Sequence, residues 1–96
     1  MSDHAAEIQT VSQLFKILGD PTRLRILLFL EKGERNVSAI SEALTMEQSA
    51  VSHQLKLLRD NRLVKARRDG KAMLYSLDDH HVLDILEQTF EHVSHH

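Results

Sequence analysis

The sequence predicts a mainly α-helical domain that carries a single β-hairpin, in the order α-α-α-α-β-β-α. Three observations lead there. Apolar residues recur at helical spacing from Ala5 to Asp60 and again from Val82 to Val93. Between these stretches, on either side of Asp69-Gly70, the period changes to two. The 96 residues, 42% apolar and 27% charged, suit one globular domain spanning 1–96.

The elements follow in order. A first helix is expected from Ala5 to Leu18, with Ile8, Val11, Leu14, Phe15 and Leu18 on its apolar side and Gly19 ending it. Asp20-Pro21 opens the second, since Asp is a good N-cap and Pro fits where no amide donor is required. Leu24 and the run Ile26 to Leu30 make this helix apolar nearly all round, as for a buried helix, until Lys32-Gly33 stops it. Asn36 to Leu44 forms a short amphipathic helix with Val37, Ile40 and Leu44 inward. Thr45-Met46-Glu47-Gln48 reads as a capping box, and the helix it starts runs to Asp60 with Val51, Leu55 and Leu58 on one face. Leu63 to Arg68 and Lys71 to Leu77 are strands around a type I′ turn at Asp69-Gly70. Asp78 or Asp79 caps a last helix to Val93, with Val82, Leu86, Phe90 and Val93 along one side. Two short helices joined by a tight turn, followed by a hairpin, make a winged helix-turn-helix.

Composition removes several classes of function. The longest apolar run, Ile26 to Leu30, is far short of the roughly eighteen residues of a membrane helix, and no basic segment leads an apolar one at the start. Neither secretion nor a membrane partner is expected, and the cytoplasm is. With no cysteine, disulfides, thiol catalysis and thiolate metal sites are excluded. No nucleophile–base motif or Gly-rich phosphate loop points to an enzyme.

Net charge is −2, but the average hides an asymmetry. Lys56, Arg59, Arg62, Lys65, Arg67, Arg68 and Lys71 face only Asp60 and Asp69 over the same stretch. From Asp78 onward stand Asp78, Asp79, Asp84, Glu87 and Glu91 with no Lys or Arg, and with five of the seven histidines. Fields act locally, over roughly 8 Å at physiological salt, so the middle suits phosphate and the tail suits a cation.

The element order, the stretch Leu18-Gly19-Asp20-Pro21-Thr22-Arg23-Leu24-Arg25-Ile26-Leu27 and the stretch Val51-Ser52-His53-Gln54-Leu55-Lys56-Leu57-Leu58 resemble the ArsR/SmtB family of bacterial metal-sensing repressors. The resemblance covers essentially the whole chain. It implies a homodimer in which the helix from Thr45 reads DNA.

That reading agrees with the residues themselves. Opposite Val51, Leu55 and Leu58 lie Ser49, Ser52, His53, Lys56 and Arg59, with Gln48 at the N-terminal end. Gln pairs bidentately with adenine, and Ser or His can contact a base edge or a phosphate. The helix N-terminus adds amide donors and a positive dipole. Arg67 and Arg68 in the wing, with Lys65 and Lys71, are expected to hold phosphate or the adjacent minor groove. The resemblance assigns base and phosphate contact to Gln48, Ser49, Ser52 and His53.

The tail carries its own arithmetic. At about 100° per residue His81 and His92 lie within about 20° of one another, and His95 within about 60° of both. Eleven residues nevertheless span roughly 16 Å of axis, whereas imidazoles of one zinc sit about 2 Å from it. One helix cannot bring His81 and His92 to the same ion, but an antiparallel pair of these helices can. Two equivalent sites across the subunit boundary follow by two-fold symmetry. Asp79, at the helix start where the backbone is not yet helical, can turn back as fourth ligand. The resemblance agrees, since Asp79-x-His81 and His92-x-x-His95 look like the C-terminal-helix zinc pattern of the family's zinc sensors. One Asp and three His suit tetrahedral Zn²⁺, with Co²⁺ as a laboratory substitute. His80 is expected to point away and His96 to fray. The family's other site uses cysteines where this chain has Arg35 to Ser41, which excludes lead, cadmium and arsenite sensing there. If Met1 is removed, Ser2-Asp3-His4 forms a square-planar motif for Cu²⁺ or Ni²⁺.

The expectation is a zinc-responsive transcriptional repressor whose metal-free dimer binds an imperfect palindromic operator in double-stranded DNA. Zinc at the paired C-terminal helices lowers DNA affinity. The alternatives are a nickel or cobalt sensor of the same fold that recruits His4 or His96, and a winged-helix protein-association module without metal sensing.

Overall fold

Side-chain caps decide where most of the helices begin. The computed structural model describes residues 4–95. Helix α1 (Ile8–Leu18) starts later than the periodicity predicts, because Ala5 to Glu7 form a turn in which the His4 carbonyl accepts from the amides of Glu7 and Ile8. Helix α2 (Pro21–Glu31) starts as expected, with Pro21 in its first turn and the Asp20 carboxylate accepting from the Arg23 amide at 3.1 Å. Helix α3 (Val37–Leu44) is capped by Asn36, whose side-chain oxygen accepts from the Ala39 amide at 2.8 Å.

Strand β1 (Arg35–Asn36) precedes α3 and was not expected, since two residues are too few to show an alternation. It pairs antiparallel with β3 (Ala72–Leu77), which in turn pairs with β2 (Val64–Asp69), so the sheet order is β1-β3-β2. The register sets Val64 against Leu77, Ala66 against Tyr75 and Arg68 against Met73. Those residues share the sheet face toward the core, because Val64 is buried and alternate residues face alike. Lys65, Arg67 and Asp69 take the other face.

Two turns differ from expectation. The capping box at Thr45 does not form: Thr45 adopts the left-handed conformation (φ 55°, ψ 53°) that closes α3, its amide bonding to the Glu42 carbonyl. That conformation is uncommon for a β-branched residue, and it is held by the Met46 amide on the Ser41 carbonyl and by the Ser41 hydroxyl on the Met46 carbonyl. Helix α4 (Gln48–Asp60) therefore begins three residues after Thr45, with Glu47 at its N-cap and no side-chain cap bond. In the hairpin Asp69 is not a turn residue but pairs with Ala72. The turn is Gly70-Lys71, with left-handed φ (65°) at Gly70 and not at Lys71, so glycine comes first, as in a type II′ turn and not type I′.

Helix α5 (His80–Ser94) is capped by Asp79, whose carboxylate accepts from the His81 amide at 2.9 Å. The core draws on every helix and on β2. Ile26, Leu27 and Leu30 of α2, Ile40 of α3 and Val51, Leu55 and Leu58 of α4 meet Val82 and Leu86 of α5. Each contributes roughly 1.5–3 kcal/mol by leaving water, and truncating Leu55, fully buried, to Ala would cost about 2–5 kcal/mol. Helix α2 is less enclosed than its sequence suggests, with Leu24, Leu28 and Phe29 only half-buried. A second apolar surface is left open. Ile8, Val11 and Phe15 of α1 and Phe90 and Val93 of α5 are 45–66% exposed. Between the two helices runs a groove of about 340 Å³ lined by Phe15, Leu18, Leu24, Ile85, Phe90 and Val93.

Candidate DNA interface and candidate metal centre

Helix α4 keeps Val51, Leu55 and Leu58 completely buried and turns Ser49, Ser52, His53, Lys56 and Arg59 to solvent. Gln48 is exposed at its N-terminus and donates to the Ser38 hydroxyl at 3.1 Å, tying α4 to α3. A bidentate contact with adenine uses Gln48 Oε1 and one of its two amide N–H donors, which leaves the other N–H for the Ser38 bond. Lys56 bonds to Asp60 at 3.0 Å, an i, i+4 pair on the same face.

The middle of α4 is fixed by a contact that the sequence does not advertise. Arg23 donates through Nε to Gln54 Oε1 at 3.0 Å and through Nη1 to the Ile17 carbonyl at 3.3 Å, joining α1, α2 and α4. Gln54 lies 31 positions away from Arg23 in sequence, and only the Pro21-Thr22-Arg23 and His53-Gln54 wording marked these residues at all.

In the wing, the two arginines paired by sequence proximity part company. Arg68 is exposed on the core-side face of the hairpin, opposite Met73, and makes no side-chain hydrogen bond or ion pair among the described residues. Arg67 lies on the other face, held by Glu34 through Nε to Oε2 at 2.7 Å and Nη2 to Oε1 at 2.8 Å. The Arg67 hydrogen bond pulls the Glu34 carboxyl below its usual range against partial desolvation, with the charges of Arg67 and Lys65 adding to the pull. Arg67 is pushed above its ordinary value, chiefly by the same hydrogen bond and then by the Glu34 charge.

The histidine-rich end has a different geometry. Asp79 and His81 stand together at the start of α5, the His81 Nδ1 lying 3.4 Å from Asp79 Oδ1. Desolvation, the largest single influence on the Asp79 carboxyl, raises its pKa, but hydrogen bonds from the His81 side chain and backbone, the His81 charge and the Val82 amide together outweigh it. The net shift is downward, so Asp79 stays ionised through the range where imidazoles titrate. His80 is exposed, as expected, and its ring lies 4.2 Å from that of His81, tilted against it. His92 sits in the last turn and His95 at the C-cap, outside the regular helix. Within one chain, no three His, Asp or Glu side chains among the described residues gather closely enough to hold a metal ion. A continuous helix of this length keeps its two ends apart. His4 contacts Glu7 at 2.9 Å; Ser2, Asp3 and His96 lie outside the described residues.

Residues 20–66 match the family described as "Bacterial regulatory protein, arsR family". The chain is 44% identical over 93 residues to the HTH-type transcriptional regulator NmtR of Mycobacterium tuberculosis, covering 97% of this chain and 77% of that protein. The chain belongs to the ArsR family of bacterial regulatory proteins. It is also 40% identical over 87 residues to a transcriptional repressor SmtB homolog of Synechocystis, covering 91% of this chain and 66% of that one. Among solved structures, the homodimeric winged helix-turn-helix DNA-binding domain of Mb0332 from Mycobacterium bovis superposes with a TM-score of 0.92 at 33% identity, covering all of this chain and 90% of that one.

As an ArsR-family protein the chain belongs with transcriptional regulators and not with enzymes. No helix among the described residues is long and apolar enough to cross a membrane. The matched stretch runs from the α2 cap into β2 and so contains α4. Asp79, His81, His92 and His95 all fall beyond it.

Proposed function

We propose that this ArsR-family protein is a homodimeric, zinc-responsive transcriptional repressor acting in the cytoplasm, with residues 1–96 as its single DNA-binding and dimerisation domain. The observation that carries the metal half of the reading is the layout of α5. Asp79 and His81 stand at one end, His92 and His95 at the other, and Phe90 and Val93 expose an apolar strip beside the latter. Burying that strip, with Ile8, Val11 and Phe15 of α1, against a second copy explains why a domain this small leaves five large apolar side chains in water. The homodimeric Mb0332 domain supports the same assembly.

In that dimer Asp79 and His81 of one subunit and His92 and His95 of the partner subunit would hold Zn²⁺. The donor set fits: a carboxylate that stays ionised, three imidazoles and no thiolate. Bound zinc would cross-link the two helices. On the opposite side Gln48, Ser49, Ser52, His53 and Lys56 would meet base edges and phosphates of the operator, with Arg68 of the wing on the backbone. The metal-free arrangement binds DNA, and cross-linking of the α5 pair disfavours it. The name of the Synechocystis relative, a transcriptional repressor, supports repression as the outcome of DNA binding.

The test is a titration of zinc into the purified protein, alone and with duplex DNA from upstream of its own coding region. Two zinc ions per dimer and weaker DNA binding at saturation are expected, and by linkage DNA must weaken zinc binding by the same factor. DNA affinity indifferent to saturating zinc would overturn the sensor reading. Intense visible bands of the Co²⁺ form indicate the four-coordinate site, whereas weak bands indicate a six-coordinate nickel- or cobalt-type site.

A further inference from the structure

The bidentate contact between Glu34 and Arg67 joins two elements that neither the helix-turn-helix nor the metal site accounts for. Glu34 lies in the loop just before β1, and Arg67 lies on β2. With the sheet order β1-β3-β2 they bracket β3, where Leu74 is the register partner of both Arg67 and Asn36. The pair therefore straddles the outer face of the wing. Two of the guanidinium's five donors are engaged at 2.7 and 2.8 Å. Lys65, on the same strand face, adds its field at Glu34. Arg68, one residue on and facing the other way, has no such partner among the described residues.

A phosphate approaching Arg67 meets a cation already balanced by a carboxylate. Contact there brings repulsion from Glu34 together with attraction to Arg67, and the counterion release that drives sequence-independent binding is largely absent. The pair is also solvent-exposed, and exposed ion pairs are weak, so removing the carboxylate should free the arginine without unfolding the wing.

We propose that Glu34 is a positioning residue of the DNA interface, which acts through Arg67: it holds that guanidinium out of the phosphate contacts and so keeps sequence-independent DNA affinity low. This rests on the DNA-binding reading above. It gives the wing one free arginine and one held in reserve.

The experiment measures binding of the wild-type protein, Glu34→Gln and Glu34→Gln with Arg67→Gln to a random-sequence duplex over a salt series. Glu34→Gln should tighten binding about fivefold near ~0.1 M salt and steepen the logarithmic salt dependence by about one, the signature of one added phosphate contact. Adding Arg67→Gln should cancel the gain in affinity and in slope together. Unchanged or weaker binding by Glu34→Gln, or tighter binding with no change of slope, overturns the proposal. The wild-type arm separates the two readings: salt-independent or absent binding there overturns DNA binding itself, whereas normal wild-type binding with an inert Glu34→Gln overturns only the role of Glu34.

Discussion

Helix α4 with the wing and helix α5 with its histidines are both amphipathic surfaces of one small domain, yet they are complete to different degrees. The first is finished within a single chain. Its apolar side is wholly buried, its polar side faces water, and its positive charge is in place. The second is not. Val82 and Leu86 anchor α5 in the core, but Phe90 and Val93 remain exposed and the metal-type donors stand at opposite ends. A surface meant for DNA can be assembled by one subunit. Under the proposed zinc reading, donors divided between the two ends of α5 would meet only beside a second helix running the other way.

The strongest way to break this comparison is to divide the donors between two chains. One variant lacks Asp79 and His81, the other His92 and His95. If each site draws one end from each subunit, neither homodimer binds zinc tightly. A mixed dimer has one site with no ligands and one with all four, so mixing should restore one tight site per dimer. The measurement is zinc stoichiometry of the tagged heterodimer. No recovery despite heterodimer formation would mean that the sites do not cross the interface. His92→Ala alone should lose zinc affinity and leave metal-free DNA affinity nearly unchanged.

The next largest effect separates the two surfaces. Ser52→Ala with His53→Ala removes two exposed groups of α4 and leaves Val51 and Leu55 in the core. A good base contact is worth about 1–3 kcal/mol, so loss of two should lower operator affinity by at least about thirtyfold. Zinc affinity should stay within a few-fold. Loss of zinc binding in a folded double variant would show that the two surfaces are one site.

How much of this was legible in the sequence depended on the distance over which each contact acts. The Asp20 and Asn36 caps, the inward Val51-Leu55-Leu58 row and the wing are local, set by residues within four positions of one another or by a change of period. The Thr45 capping box was misread because one short segment had two uses, ending α3 or starting α4, and the tight turn took it for the first. The hairpin turn slipped by one residue because glycine suits either turn position, and only the pairing of Asp69 with Ala72 decides between them. Strand β1 and the contacts Arg23–Gln54 and Glu34–Arg67 join residues about thirty or more positions apart, where periodicity carries no information. In the candidate metal centre His81 and His92 lie within the helix as its bounds were expected to allow, but His95 lies past its regular end and the ring contact of His80 with His81 has no signature in the helical spacing.

The smallest predicted effect sharpens the comparison inside the wing itself. Arg67 and Arg68 adjoin in sequence, and composition counts them equally, but strand alternation sends them to opposite faces and only Arg67 meets a carboxylate. Arg68→Ala should therefore behave as the loss of one whole phosphate contact. Binding to operator and random duplexes alike should weaken several-fold near ~0.1 M salt, and the logarithmic salt dependence should flatten by about one. Stability should barely change, since the side chain is exposed and bonds to none of the described residues. The discriminating quantity is the ratio of operator to random-DNA affinity over the salt series. A constant ratio with a flatter slope makes Arg68 a backbone contact. If the ratio falls while the slope holds, Arg68 reads bases, and the division of labour between a base-reading α4 and a phosphate-holding wing has to be redrawn.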